Sequence, residues 1–481
     1  MNQLLLERST GALGPNVFAR LQTTQLLRSF HPAPQYRFDG GERGTAVNDG
    51  EASDSGAATS IWAHQAGASA LTLERFDGRI LVSGGSDGSI KLWDLEQCGN
   101  PSKPHTFNPS GVIRPSTETH KFGITHLSFY PFDPAAFMST SYDQTLKLWS
   151  TEEARLSASF GLGSKVYTHA ISPIASHLIV ACGTQHPAVR LVDLRSGTSI
   201  QSLTGHSGAI LAAAWSPRHE HILATGSVDG TVRIWDIRRA GALIGMLDHE
   251  DSLGLYYNGL LSQDGKVRMR VSAKAHAAPV NGLTWTDDGN YIVSAGHDNR
   301  IRVWDAATGR NTLASFGPSI RNAKLASVTM FTSPVGLTHP GKEVLFWPNE
   351  TEILVLDLHN GHVITRLRGT GATLSGVRST LKNAERSVKN RISSIAWRGA
   401  GGHGGSGSSG VVMGGSNMPG AVFSAHLDGQ IRAWVPRLQG TDDDDDDDDD
   451  SKEEVGDDKT KKRKALDDIF KNLMSKKITF T

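Results

Sequence analysis

Apolar and polar positions along this chain fall into one recurring arrangement, two short runs of alternating apolar residues on either side of a polar turn. Five copies stand out: LVSGGSDGSIKLWDL (81–95), FMSTSYDQTLKLWS (137–150), ILATGSVDGTVRIWDI (222–237), IVSAGHDNRIRVWDA (292–306) and VFSAHLDGQIRAWV (422–435). Alternation of this kind predicts β-strands packed on neighbouring strands. Every turn carries an Asp followed by Gly, Gln or Asn, the composition of a tight hairpin. Asp87, Asp143, Asp229, Asp298 and Asp428 are therefore equivalent positions. A His precedes most copies, as His64, His120, His206 and His276, but none precedes the last.

The His, the turn Asp and the closing Trp are the marks of WD repeats, and the chain resembles that family. Weaker copies end at LVDLRSG (191–197) and ILVLDLHNG (353–361), where Val192 and Leu356 replace the Trp. The resemblance then implies an all-β fold, a seven-bladed WD40 β-propeller over 59–438 with inserts at 368–390 and 399–420. The stretch 59–62 is expected to supply the outer strand of the last blade, closing the ring and removing an exposed edge.

Repetition also decides between two readings of the His and Asp residues. A carboxylate that orients an imidazole can serve acid–base chemistry. A catalytic pair is needed once, however, whereas a pair in every blade is expected to hold the blades together through hydrogen bonds. No GxSxG elbow, GxxxxGK[ST] loop or HExxH pair occurs in the chain. The expectation is a protein without catalysis, cofactor or metal. GAGGHGGSGSSG (399–410) lacks the Lys and the strand–turn–helix context of a phosphate cradle and reads as a loop.

Outside the repeats, residues 1–30 form two helix-like stretches separated by Gly14 and Pro15, with Val17, Phe18, Leu21 and Leu27 partly clustered on one side. Such a hairpin either caps its own fold or docks into a partner's groove. Residues 31–58 are polar and Gly-rich and read as a linker. The segment 439–481 holds an unbroken Asp tract (442–450) followed by Lys461, Lys462, Arg463 and Lys464. It cannot bury a core and is expected to be disordered, with the basic cluster acting as a nuclear import signal.

Composition narrows the function classes. Lys plus Arg equals Asp plus Glu at 49 each, so the whole-chain charge makes no case for nucleic acid. The two cysteines, Cys98 and Cys182, have no metal-ligand spacing and suit a reducing compartment. No apolar run reaches membrane-spanning length, and a soluble intracellular protein is expected.

Longer runs narrow the resemblance. HLSFYPFDPAAFMSTSYDQTLKLW (126–149), VYTHAISP (166–173), AAWSPRHEHILATGSVDGTVRIWDIRRA (213–240) and DNRIRVWDAATGRNTL (298–313) look like the Cockayne syndrome A family. The opening ERSTG and the last-blade AWVPRL (433–438) are similar to it as well. The two inserts and the charged tail depart from that pattern, and such expansions point to a fungal member.

This resemblance implies the substrate-recognition subunit of a nuclear cullin-4-type RING E3 ubiquitin ligase acting in transcription-coupled nucleotide-excision repair. Its partners would be the damaged-DNA-binding adaptor subunit, through which it joins the cullin–RING ligase, and repair or transcription proteins as substrates. No direct sequence-specific nucleic-acid binding and no membrane are expected. Receptors of this type carry a WDxR blade ending, here Trp235, Asp236, Ile237 and Arg238, followed by Arg239. An Arg at a rim can make charge-assisted bonds across an interface, or it can pair with Asp236. The helical segment, with Val17, Phe18, Leu21 and Leu27, is the second implied adaptor contact. On the opposite face, the residue after the first apolar residue of each inner strand should point to the channel mouth, which nominates Thr125, Tyr167, Leu211, Asn281 and Ser393 as substrate-facing. The alternative is a nuclear or nucleolar WD-repeat assembly factor for ribosomal precursors or chromatin.

Overall fold

Each hairpin of the repeat forms the middle pair of a small antiparallel sheet. The computed structural model describes residues 2–41, 61–98, 103–239, 242–255, 273–324, 326–369, 390–400, 412–413 and 420–436. In the first sheet, Ala68–Leu73 pairs with Ile80–Gly85, that strand with Ile90–Asp94, and that one with Pro109–Ile113. The same order recurs in sheets that begin with Ile124–Phe129, Val166–Ile171, Ile210–Trp215, Val280–Trp285, Phe331–Thr332 and Ile392–Ala400. The result is a seven-bladed β-propeller, in which the fifth blade shows three strands among the described residues. The first strand of each blade is innermost, where neighbouring blades meet around the centre.

The hairpin turns explain the residue that follows each Asp. Gly88, Gly230 and Gly429 have φ of 89°, 80° and 84°, and Gln144 and Asn299 reach 70° and 56° at the same place. A left-handed residue is required there, which Gly supplies without strain and Asn tolerates. At Gly429 an added Cβ would also lie 1.9 Å from the backbone oxygen of His64.

The core lies between blades, because alternate residues of a strand face opposite neighbours. Leu223 and Trp235 of the fourth blade pack on Ala181 and Leu191 of the third. Ile222 and Ile234, on the other side of the same sheet, pack on Trp285 and Ile292 of the fifth.

Closure of the ring differs from the sequence expectation. The outer strand of the last blade is Phe30–Pro32, paired antiparallel with Ile431–Pro436 through Phe30–Pro436, His31–Val435 and Pro32–Trp434. The stretch 59–62 does not take that role: residues 59 and 60 lie outside the described residues, and Ile61 and Trp62 form no strand. Residues 31–58 are also more than a linker. Tyr36–Phe38 pairs in parallel with His105–Phe107. Phe38 stacks on Phe107 at 4.9 Å and meets Trp93 and Phe423 edge-on at 5.2 and 6.0 Å, joining the first blade to the last. A short segment whose few apolar residues are all buried carries too weak a periodic signal to be read as strand.

Two helices precede this seam, Asn2–Ser9 and Pro15–Arg28, with Pro15 opening the second. Leu27 packs with Phe30, Leu337 and Phe346, and the Arg28 carbonyl accepts from Thr365 Oγ1 at 3.1 Å. The second helix is thereby anchored on the sixth and seventh blades. The Asp tract, Lys461 to Lys464 and most of both inserts lie outside the described residues.

Candidate protein-interaction surfaces

The repeated His, Asp and Trp residues form one chain of hydrogen bonds per complete blade. In the fourth, Trp235 Nε1 donates to Thr225 Oγ1 (2.7 Å), Thr225 reaches His206 Nε2 (2.8 Å), and His206 Nδ1 faces Thr231 Oγ1 (3.0 Å) and Asp229 (3.3 Å). Ser139 joins Trp149 and His120 in the second blade, where His120 Nδ1 meets Asp143 at 2.7 Å. Ser294 joins Trp304 and His276 in the fifth, with His276 Nδ1 3.0 Å from Asp298. The first blade inserts a hydroxyl: Ser83 links Trp93 to His64, and Ser89 stands between His64 and Asp87. All four imidazoles are buried. Burial, reinforced by Lys91, pushes His64 down to about 3. Burial alone would raise Asp229, but hydrogen bonds from His206, Thr231 and Ser207 outweigh it and hold the carboxyl far below the usual range. Each imidazole is buried with both nitrogens engaged, so the network fastens its blade.

The last blade solves the missing His differently. His426, on the middle strand itself, takes Ser424 Oγ at 2.9 Å and the Asn390 carbonyl at 3.0 Å, while Trp434 Nε1 donates to Ser424 at 3.0 Å. Asp428 turns to Arg432 at 2.8 Å, and burial raises its carboxyl despite that partner. Sequence reasoning missed His426, although it is visible as the His in SAHLDG, two residues after the serine. It also missed a cluster between the second and third blades, where Val192 leaves no Trp. There His169 is held by Ser128 (2.7 Å) and Thr140 (3.1 Å), with the His126 ring 4.6 Å away.

The five nominated channel residues share one structural position. Thr125, Tyr167, Leu211, Asn281 and Ser393 are each the extra residue of a β-bulge near the start of an inner strand. Only Thr125 and Tyr167 keep partial exposure; Tyr167 meets Tyr142 edge-on at 6.2 Å. Leu211, Asn281 and Ser393 are buried and do not present a free surface. A bulge turns its side chain sideways into the adjoining structure: Ser393 Oγ donates to Ala68 and Ala425 carbonyls, and Asn281 holds the loop before the sixth blade.

The nominated adaptor residues divide likewise. Trp235 is buried in its blade network, Phe18 and Leu27 are buried in the fold, and Asp236 is buried beneath two arginines, so none of these four is a free anchor. Arg8 lies over the Phe18 ring at 4.7 Å. Leu21 is half-buried and Val17 exposed. Arg238 and Arg239 bind Asp236 at 2.8 and 3.5 Å while their side chains stay 62% exposed. They line a cleft on the fourth blade with Arg218, His219, Glu220 and His221, bordered by Ile174 of the third. On the helices, Leu5, Leu6 and Val17 are the large apolar residues exposed among the described ones, Leu5 and Leu6 at 49% and 63%.

Among the described residues no group of three or more His, Cys, Asp or Glu could hold a metal ion, and no helix is long and apolar enough to cross a membrane. Buried, repeated polar networks of this kind fasten the blades of a WD40 β-propeller, a fold that generally serves as a protein-interaction scaffold. The chain belongs to the WD-repeat family: residues 59–94, 112–150, 197–236 and 262–305 match the pattern of the WD domain, G-beta repeat. It is similar to the WD repeat-containing protein ATCSA-1 of Arabidopsis thaliana, at 30% identity over 53% of this chain and 69% of that protein. Radiation-sensitive protein 28 of Saccharomyces cerevisiae is 28% identical over 41% of this chain and 42% of its own length. Ribosome biogenesis protein ytm1 of Aspergillus oryzae is 27% identical over 50% of this chain and 53% of its own. The chain thus spans about half or less of these two fungal relatives.

Proposed function

We propose that this protein is the substrate-recognition subunit of a nuclear cullin–RING ubiquitin ligase acting in transcription-coupled repair, joined to the ligase by the damaged-DNA-binding adaptor. The observation that carries this reading is the helical hairpin, fixed to the ring by Leu27 and the Arg28 carbonyl while Leu5, Leu6 and Val17 stay uncovered. Exposed apolar residues held beside the ring by an anchored second helix offer a docking surface. Likeness to ATCSA-1 and to a radiation-sensitivity protein supports the repair assignment. Arg238 and Arg239 offer guanidinium groups to an acidic partner, with Asp236 orienting them. The second reading, an assembly factor for ribosomal precursors, is favoured by the similarity to ytm1.

Affinity purification of the full-length protein from nuclear extract distinguishes the two. Recovery of adaptor and cullin supports the ligase; recovery of ribosomal precursors without them replaces it. Changing Lys461, Lys462, Arg463 and Lys464 to Ala should leave a fluorescent fusion in the cytoplasm, and continued nuclear accumulation would assign import to another signal.

A further inference from the structure

The loop before the sixth blade carries Lys324 to the start of the last blade's inner strand at Ser393, while Asn322 N–H of the same loop donates to Asn299 in the fifth-blade hairpin turn. That loop is clamped by amides. Asn281 and Asn322 exchange side-chain hydrogen bonds at 2.9 and 2.7 Å, Asn281 also donates to the Lys324 carbonyl at 2.6 Å, and the Arg321 N–H donates to Asn349 at 2.7 Å. Lys324 Nζ donates to the Ser393 carbonyl at 2.6 Å and has no carboxylate partner among the described residues. Burial alone, with no acidic group offsetting it, pulls its ammonium down to about 8. Arg321 and Arg391 line the same pocket, whose volume of about 20 Å³ is room for one water-sized atom group. Its one carboxylate, Glu350, is engaged by Arg391 at 3.6 Å, and Arg391 Nε is buried without a hydrogen-bond partner.

A half-buried ammonium without a counter-ion is costly. The missing component is an acceptor with negative charge. We infer that the pocket formed by Lys324, Arg321 and Arg391 binds an oxyanion, a carboxylate or phosphate group presented by a peptide at this loop. The remaining ammonium donors and Arg391 Nε supply charge-assisted bonds to it. Room for a single oxygen at the surface suits the tip of a side chain or a chain end; a nucleic-acid backbone would call for basic residues spaced along a path. The inference does not depend on which complex the protein joins.

The test is thermal unfolding of the full-length protein in sodium phosphate, acetate or chloride at matched ionic strength and neutral pH. Phosphate or acetate should raise the wild-type midpoint above chloride by about 1–2 °C more than it raises that of Lys324→Met. General anion effects on stability act on both proteins and cancel. A Lys324-dependent rise with phosphate alone assigns a phosphorylated side chain, and one with acetate an acidic side chain or carboxyl terminus. Equal rises in both proteins, or none in either, overturn the inference. Lys324→Gln serves the same comparison should the Met variant fail to fold. Adaptor recovery should be unchanged in either variant, which keeps this result separate from the ligase reading.

Discussion

The fourth blade and the closing seam perform the same structural task with different chemistry. In the fourth blade a His delivered from the preceding loop links Trp235 to Asp229, whose carboxyl is held far below its ordinary range. At the seam the His comes from the middle strand as His426, and Asp428, left with Arg432, is pushed up by burial. Two turns that look alike in sequence thus hold carboxylates of opposite electrostatic character. The seam compensates by aromatic packing, with Phe38 inserted between Trp93, Phe107 and Phe423. Polar continuity and apolar packing are alternative ways to fasten neighbouring blades, and the chain uses the second where its two ends meet.

The comparison can be broken most directly at Phe38. Phe38→Ala should cost about 3–5 kcal/mol, because a buried ring leaves a cavity between two blades. A loss under about 1 kcal/mol in chemical denaturation would show that the seam is held elsewhere. The paired Asp residues come next. Asp229→Asn should cost about 2 kcal/mol through loss of an ionised acceptor with several donors, whereas Asp428→Asn should cost less, the cost there being that of leaving Arg432 without its ion partner. Equal losses at the two positions would erase the distinction drawn here.

Acid provides a broader test. His64 and His426 are held near 3 and His126 near 4 by burial, while an unfolded imidazole titrates near 6.5. Below pH about 6.5 the unfolded chain takes up protons that the fold refuses, so stability should fall as pH drops from about 6.5 toward 4. The stability contributed by depressed carboxylates such as Asp229 is fully present above pH about 4 and is lost only as pH falls below that, where the unfolded acid protonates first. A melting midpoint that stays level between pH 6.5 and 4.5 would contradict the buried neutral imidazoles. The smallest expected effect is at the rim. Arg238→Ala should leave the fold intact and weaken adaptor binding by about 1–3 kcal/mol, read by titration.

Much of the ring was legible because its signals are local. Hairpin Asp residues, closing Trp residues and alternating apolar runs fix strands and turns within a few residues of themselves. His426 was hidden by its displacement into a strand, although the serine it serves stood in register. The strap at Phe30 to Phe38 was hidden because its partners, Trp434 and Phe107, are distant in sequence and its polar surroundings resemble a linker. Candidate sites were harder still. Selecting one position per inner strand found the bulges at Thr125, Tyr167, Leu211, Asn281 and Ser393, but a bulge directs its side chain by three-dimensional context that periodicity does not encode. Lys324 lies in a loop with no repeat signature at all, and only its clamped surroundings single it out.

Removing residues 1–30 would also remove Phe30 and Leu27 from the core, so docking is better tested on the uncovered surface alone. The measurement is binding of the purified damaged-DNA-binding adaptor to full-length protein, wild type against Leu5→Glu/Leu6→Glu, with melting curves for both. The account predicts a native-like melt for the variant and a loss of affinity of at least about tenfold, since central apolar anchors usually dominate interface energy. Wild-type affinity in the folded variant, or no adaptor binding by the wild-type protein, would contradict it.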